Sequence, residues 1–371
     1  MSEFDAAALL GRATQLHPDL PDRLVAWQRT QGRHHLPWQQ TRDPYRVWLS
    51  EIMLQQTQVT TVLGYYERFL TSFPSVVDLA NAELDEVLNL WSGLGYYSRA
   101  RNLHRCAQAV RDLHGGHFPS SAAELEQLPG IGPSTAAAIA AFCFGERISI
   151  MDGNVRRVLS RVLGWAGDLS VRVHERALTD AAQRLVPDRS TDMVSYTQGL
   201  MDLGATLCTP RKPACLTCPW SDLCVGRQSG DPERLPVKTK KLKRSHRESW
   251  CLWLQHGDAV WLVQRPHTGI WSGLWTLPMY ASEAELQAAW PHPTEVQPPL
   301  THVLTHLDWR LHLARAQVQV QAGAMGAEAL SKVMSLVSEP SQGDGQWVPM
   351  AALNRGEKAL PKPFQRWLVG G

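Results

Sequence analysis

Two carboxylates and a cluster of thiols are the residues of this chain whose types and spacing could do chemistry. Glu51 closes the segment Asp43-Pro44-Tyr45-Arg46-Val47-Trp48-Leu49-Ser50-Glu51. That segment opens as a helix, with Asp as N-cap and Pro at the first position, where its missing N–H costs nothing. Residues three and four apart share a helical face, so Glu51 falls with Val47, Trp48 and Leu54 on an apolar stripe. Desolvation there disfavours the anion and leaves a carboxyl able to donate a proton near neutrality. Asp152 stands just before a second helix, in Ile150-Met151-Asp152-Gly153-Asn154-Val155-Arg156-Arg157. Free N–H groups and the helix dipole favour a negative charge at that place, although Asp and Asn are also ordinary caps there. Two carboxyls whose surroundings push their proton affinities apart form the pattern that cleaves a glycosidic bond. One protonates the leaving group and the other stabilises a cationic sugar.

The chain has 7 cysteines, and Cys208, Cys215, Cys218 and Cys224 follow a C-x6-C-x2-C-x5-C spacing. Grouped thiols in a reducing compartment are metal ligands more often than disulfides, while the scattered Cys106, Cys143 and Cys251 read as packing. Four thiolates suit tetrahedral zinc or a [4Fe–4S] cluster, and one C-x2-C pair rather than two separated pairs favours the cluster. A third feature is Leu128-Pro129-Gly130-Ile131-Gly132-Pro133-Ser134-Thr135, a glycine turn opening onto an alanine-rich helix. Gly130 and Gly132 can take positive φ and bare N–H groups at the helix start, which suits a phosphate. With a preceding helix from about Ala122, the turn makes a helix-hairpin-helix pattern, a sequence-independent hold on a DNA backbone.

The elements that must position these residues divide the 371 residues into more than one core. From Pro21 to about Leu203 helix-period patterns recur, including Leu84 to Trp91, Ser98 to Leu113 and Val155 to Leu163, so this half reads as all-α. A helical domain is expected over 1–229, a basic linker containing Lys238, Lys240, Lys241, Lys243 and Arg244 over 230–247, and an α+β domain over 248–371. In the last, Trp250 to Leu254 and Ala259 to Gln264 flank His256-Gly257-Asp258 as a hairpin. Val303 to Leu313 and Ala316 to Val320 read as strands and Ala284 to Trp290 as a helix. The three histidines His302, His306 and His312 read as strand residues rather than as a shared metal site.

Composition excludes several classes. With 44% hydrophobic and 19% charged residues the chain is neither disordered nor fibrous. The longest apolar run, Ala136 to Phe144, is far short of the ~20 residues that span a bilayer. The N-terminal stretch Met1-Ser2-Glu3-Phe4-Asp5 carries acids where a secretory signal needs positive charge before a long apolar run, so a cytoplasmic, nucleoid-associated location without membrane contact is expected. The net charge of +2 means that any nucleic-acid binding must be local. Fifteen tryptophans could serve either packing or stacking.

Taken in order, the segments Glu51 to Val59, Gly93-Leu94-Gly95-Tyr96-Tyr97, Leu128 to Gly132, Asp152-Gly153-Asn154-Val155 and the four cysteines resemble the MutY family of adenine DNA glycosylases. The resemblance runs from about Leu36 to Cys224 and extends to that family's second domain. It implies a multidomain fold: an all-α helix-hairpin-helix glycosylase with one [4Fe–4S] cluster in the 208–224 loop, followed by a Nudix-like α+β domain. It further implies a monomeric enzyme that removes adenine mispaired with 8-oxoguanine, or with guanine, in double-stranded DNA.

By the same resemblance Glu51 would protonate adenine at N7 and then assist the attacking water. Asp152 would stabilise the oxocarbenium-like sugar, with a transient covalent adduct as one route, and Asn154 would stand beside it. Base extrusion would place Gln56 and Tyr96 on the gap and lesion side and Leu36 and Trp38 in the pocket wall. Related endonuclease III enzymes carry a Schiff-base lysine where this chain has Ser134, which implies a monofunctional glycosylase. The metal-binding acids of an active Nudix hydrolase do not follow Trp271-Ser272-Gly273-Leu274-Trp275, so the second domain reads as a lesion reader. The family's Phe-Ser-His loop aligns with Leu304-Thr305-His306, which keeps a hydroxyl and the histidine and replaces the aromatic with leucine. The competing readings are an endonuclease III-like glycosylase/lyase for oxidised pyrimidines and a non-catalytic lesion-binding protein.

Overall fold

A computed structural model describes residues 5–239, 243–266, 268–318 and 345–370. The chain forms two units, one built from Met1–Ala80 and Arg105–Lys241 and the other from Asn81–His104 and Leu242–Gly371. This division departs from the expected boundaries in two ways. Residues Asn81–His104 group with the C-terminal half. Most of the supposed linker packs on the helical unit instead of running free. There the Leu235 carbonyl accepts from Arg161 Nε at 3.0 Å, and the Val237 carbonyl accepts from the Leu169 N–H at 3.0 Å. The apolar side chain of Leu235, 1% exposed, gives that stretch a reason to dock which its basic neighbours conceal.

The first unit is helical. The Pro44–Leu54 helix starts where Asp43 accepts from the Tyr45 N–H at 2.9 Å, and it buries Val47, Trp48, Leu49, Ile52 and Met53. The Gly153–Leu163 helix is capped by Asp152 and closed by Gly164 at φ 69°, and it packs against Met193–Thr206. Two residues of that pair come very close: a Cβ on Gly204 would stand 2.8 Å from Asn154 Cβ, so only glycine fits. Tryptophan serves mainly to fill cores, with Trp48, Trp91, Trp220 and Trp309 among the largest fully buried side chains. None of the described helices is long and apolar enough to cross a membrane.

The second unit contains the helix Leu84–Trp91, with the bounds its periodicity predicts, and the start of the Ser98–His114 helix. Its sheet has seven strands among the described residues: β1 (Ser245–His256), β2 (Ala259–Gln264), β3 (Trp275–Thr276), β4 (Met279–Tyr280), β5 (Glu295–Val303), β6 (Leu307–Gln317) and β7 (Gly345–Pro349). The main path runs β3-β2-β1-β6-β5, with β4 pairing β1 and β7 pairing β2. The hairpin at His256-Gly257-Asp258 pairs Gln255 with Val260, and Gly257 takes φ 56°.

The expected single strand from Val303 to Leu313 is corrected. Leu304-Thr305-His306 is a turn, closed by the Leu304 N–H donating to the Leu307 carbonyl at 2.8 Å, and β5 and β6 fold back as antiparallel partners around it. Apolar alternation resumes beyond the turn, which is why period alone joined the two strands. The strand expected over Ala316 to Val320 ends at Gln317, and Gln319 and Val320 lie outside the described residues. The helix expected over Ala284 to Trp290 spans Glu283–Ala289 and packs on β1 and β4.

Candidate active site and cysteine loop

In the helical unit Glu51 lies in the wall of a cavity of about 230 Å³. Val47 and Leu54 from its own helix, Trp38 from the short helix Pro37–Gln39, Leu36 at the N-cap of that helix, and Phe142 supply apolar wall. Burial first, and the nearby charge of Asp152 second, push the Glu51 carboxyl up to about 7. The two carboxylates are thus brought within electrostatic reach of each other although 101 positions (152 − 51) separate them in sequence. Asp152 is turned to the start of its helix, accepting from the Val155 N–H at 2.6 Å.

Several cavity residues carry no signal in the sequence. Gln39, Arg29, Arg33, Ser195 and Gln198 line it and come from three separate stretches of chain. Arg33 is fixed by Asp202, with Nε to Oδ1 at 2.7 Å, and Gln198 donates to the same carboxylate at 2.8 Å. Gln39 accepts from the Leu36 N–H at 3.2 Å, whereas its buried Nε2 has no hydrogen-bond partner. An amide donor left open on a cavity wall suits a polar edge of a bound ring. Spacing could not find these residues, because helical packing alone assembles them.

Asn154 is the second residue of the Asp152-capped helix. Its Oδ1 accepts from Arg157 Nη2 at 2.9 Å, and the same buried guanidinium donates to the carbonyls of Gly204 and Cys208, each at 2.8 Å. One turn further on, Arg161, 2% exposed, donates to the Thr209 carbonyl at 2.6 Å and the Pro210 carbonyl at 2.9 Å, with Nη1 3.4 Å from Cys208 Sγ. One helix therefore carries Asp152 at its start and clamps the beginning of the cysteine loop with two arginines.

Cys208, Cys215, Cys218 and Cys224 all border one small cavity, together with Arg161 and Arg227. Burial, and then the neighbouring sulfurs, push the Cys218 thiol up to about 12. Thiolates packed in this way need positive partners, and a bound iron–sulfur group supplies them. No three His, Cys, Asp or Glu residues among the described ones are grouped as a single metal ion requires.

The glycine turn is more specific than its sequence. Gly130 takes φ 78°, but Gly132 has φ −92° and an extended backbone as N-cap of Pro133–Ile139. The expectation of positive φ at both is therefore corrected: a helix N-cap takes extended dihedrals, and Gly132 contributes openness, with nothing within 4 Å of where a Cβ would stand. Ser134 is in the first turn of that helix. Gln56, at φ 56°, is exposed at the end of the Glu51 helix, a left-handed conformation uncommon for such a residue.

The sheet unit holds a separate cavity of about 400 Å³ lined by Tyr96, Trp271, His302, Leu304, Thr305 and His306, among others. Tyr96 also has a positive φ, 49°, and is 43% exposed. Its hydroxyl hydrogen-bonds the Thr305 hydroxyl. Arg99 lies over the Tyr96 ring at 5.5 Å and over Trp91 at 5.2 Å, and it donates to the Leu94 and Gly95 carbonyls, which braces the strained turn. His302 packs against Trp271 at 5.4 Å and is pulled below its ordinary range by burial and then by Lys362. His312 instead stacks on Trp250 at 4.5 Å.

Three family descriptions match this chain. HhH-GPD superfamily base excision DNA repair proteins match residues 49–184, the iron-sulfur binding domain of endonuclease III matches 208–224, and a NUDIX domain matches 249–369. The chain is similar to the adenine DNA glycosylase of Buchnera aphidicola subsp. Acyrthosiphon pisum (strain APS), at 38% identity over 262 residues, covering 71% of this chain and 74% of that protein. It is similar to the adenine DNA glycosylase of Homo sapiens at 38% identity over 319 residues, covering 71% of this chain and 58% of that protein. Among solved structures, a thermostable thymine-DNA glycosylase aligns with a TM-score of 0.52 and 29% identity, over 59% of this chain and 98% of that one.

Proposed function

This chain belongs to the adenine DNA glycosylase family, and from that premise we propose that it hydrolyses the N-glycosidic bond of adenine opposite 8-oxoguanine or guanine in double-stranded DNA, leaving an abasic site. The observation that carries the reading is Glu51, a carboxyl raised to about 7 in a cavity wall with Asp152 in electrostatic reach. Adenine must leave the stack to reach such a cavity, at a cost of a few kcal/mol that stacking and phosphate contacts offset. Leu36 and Trp38 offer apolar wall to the extruded ring, and the Gln39 amide offers a donor to its edge.

Protonated Glu51 then gives its proton to adenine N7. The ring becomes a better leaving group as the glycosidic bond lengthens, and positive charge builds on the sugar. Asp152 stabilises that charge, and Asn154, held by Arg157, keeps the start of its helix in register. Glu51, now ionised, takes a proton from the attacking water. Ser134 offers no amine for a Schiff base, so the reaction stops at the abasic site. Gln56 fills the space vacated by the base, while Tyr96, Thr305 and His306 read the partner base. Gly130 and Gly132 hold a phosphate on open backbone, and the protein acts as a monomer.

Cys208, Cys215, Cys218 and Cys224 would hold one [4Fe–4S] cluster in the iron–sulfur loop. Four sulfurs around one cavity with Arg161 and Arg227, in a loop that matches the iron-sulfur binding domain of endonuclease III, support a cluster. When bound it supplies a rigid cross-link and, with every ligand position taken by sulfur, no open site for substrate. Purified protein should be brown with about four iron atoms per chain, and colourless protein with one zinc would reject the cluster.

Single-turnover cleavage of duplexes with adenine opposite 8-oxoguanine, G, C and T tests the activity. Excision opposite 8-oxoguanine and G, with strand breakage only after alkali or heat, is expected. Prompt strand cleavage with a borohydride-trappable adduct would overturn the monofunctional reading, and no excision from any duplex would overturn the activity.

A further inference from the structure

The sheet unit has another cavity, of about 370 Å³, that the reading above leaves unused. Its charged lining is wholly cationic: Lys358, Lys362 and Arg366 border it, and no Asp or Glu does. Local structure gathers these charges. Lys362 begins the Lys362–Gln365 turn behind Pro361, and Arg366 follows four residues later on the same side. Lys358 is steered into place by the Trp275 ring, with Nζ 4.3 Å from its centroid.

Two acids beside this stretch have partners of their own. Glu357 pairs with Arg355 at 2.7 Å, and Asp85 accepts from Trp275 Nε1 at 3.4 Å. Among the described residues no ion pair involves Lys358, Lys362 or Arg366. Three cations around one hollow repel each other, and an anion entering it turns that repulsion into attraction. The amides of Asn89 and Asn354 add uncharged donors at the rim. Lys362 also lines the cavity of Tyr96, Thr305 and His306, so one cationic side chain borders both hollows.

We propose that this basic cavity is a DNA phosphate-binding site, which grips the backbone of the strand whose base faces Tyr96 and Thr305. The adjoining cavity's role rests on the reading given above, but phosphate binding can be measured on any duplex. The proposal singles out Lys358 and Arg366, because Lys362 has a second cavity to serve.

The test measures binding of the full chain and of Lys358→Gln, Arg366→Gln and the double variant to two duplexes over a range of salt. One duplex is fully matched and the other carries adenine opposite 8-oxoguanine. Each substitution should weaken both duplexes by the same factor, roughly three- to tenfold, and lower the slope of log affinity against log salt by about 0.9 per lost contact. Lys358→Arg should restore the parent slope, and matching thermal melts exclude misfolding as the cause. Unchanged affinity and slope in a folded double variant would overturn the proposal. So would a loss confined to the 8-oxoguanine duplex, or binding of a glutamate-rich peptide that disappears in the variants while the DNA slope stays put. If the parent fails to excise adenine, the catalytic reading falls and the salt slopes still decide this one.

Discussion

Arg157 donates to Asn154 Oδ1 at 2.9 Å while its Nε donates to the Cys208 carbonyl at 2.8 Å, so one guanidinium ties the helix behind Asp152 to the first cysteine of the metal loop. Removing it leaves acceptors at Asn154 and Gly204 without this donor and leaves the Cys208 carbonyl only Arg161 Nη1, at 3.5 Å. Hydrogen bonds to a charged group contribute about 1.5–3 kcal/mol each, so Arg157→Gln should destabilise the helical unit by at least about 2 kcal/mol. That corresponds to a fall in Tm of roughly 4–8 °C. Iron content and single-turnover excision should fall together, and iron analysis beside the rate measurement checks it. Normal iron with lost excision would confine the effect to the Asn154 end.

Glu51 acts in its protonated form, so excision should decline as pH rises through about 7. Rates from about pH 5 to about pH 9 read the profile, and Glu51→Gln should abolish excision while DNA binding survives. Stability carries the same sign. The folded chain keeps the Glu51 proton above the ordinary 4.5, up to about 7, where the unfolded chain has lost it. This group's contribution is therefore greatest at low pH and is lost as pH rises through that window. Urea titrations of Glu51→Gln should show a flatter pH dependence than the parent.

Gly204→Ala sets two effects against each other. Alanine gains up to about 1 kcal/mol of helix propensity over glycine. Its Cβ would stand 2.8 Å from Asn154 Cβ, and overpacking costs typically about 1–3 kcal/mol. The steric cost should win, because the obstacle is the root of a side chain anchored in a packed helix. A lower Tm and slower excision are expected, and an unchanged melt would show that the two helices can part without penalty.

Thr305→Val removes the partner of the Tyr96 hydroxyl and keeps the volume. One hydrogen bond contributes about 0.5–1.5 kcal/mol, a change of roughly two- to tenfold. The loss should appear in excision opposite 8-oxoguanine and much less opposite guanine. Equal losses on both duplexes would mean that the pair only shapes the turn.

Much of this was legible without coordinates. The Asp43–Pro44 start, the 3.6-residue period around Glu51, the Asp152 cap, the hairpin at Gly257 and the spacing of the four cysteines are local properties, and local properties are written in consecutive residues. The turn at Leu304-Thr305-His306 and the extended N-cap at Gly132 were not, because apolar alternation runs through the first and glycine's permissiveness hides the second.

The sequence by itself determined which carboxyls, thiols and glycines are present and which helix or strand carries each. Only the tertiary structure decided that Asp152 lies near enough to help raise Glu51, that Gln39 and Gln198 share its cavity, and that Arg157 and Arg161 join a helix to the cysteine loop. It alone decided that Lys358, Lys362 and Arg366 surround one hollow. The reason is range: caps and periodicity act over a few residues of chain, whereas desolvation and charge act through space between residues that only packing makes neighbours.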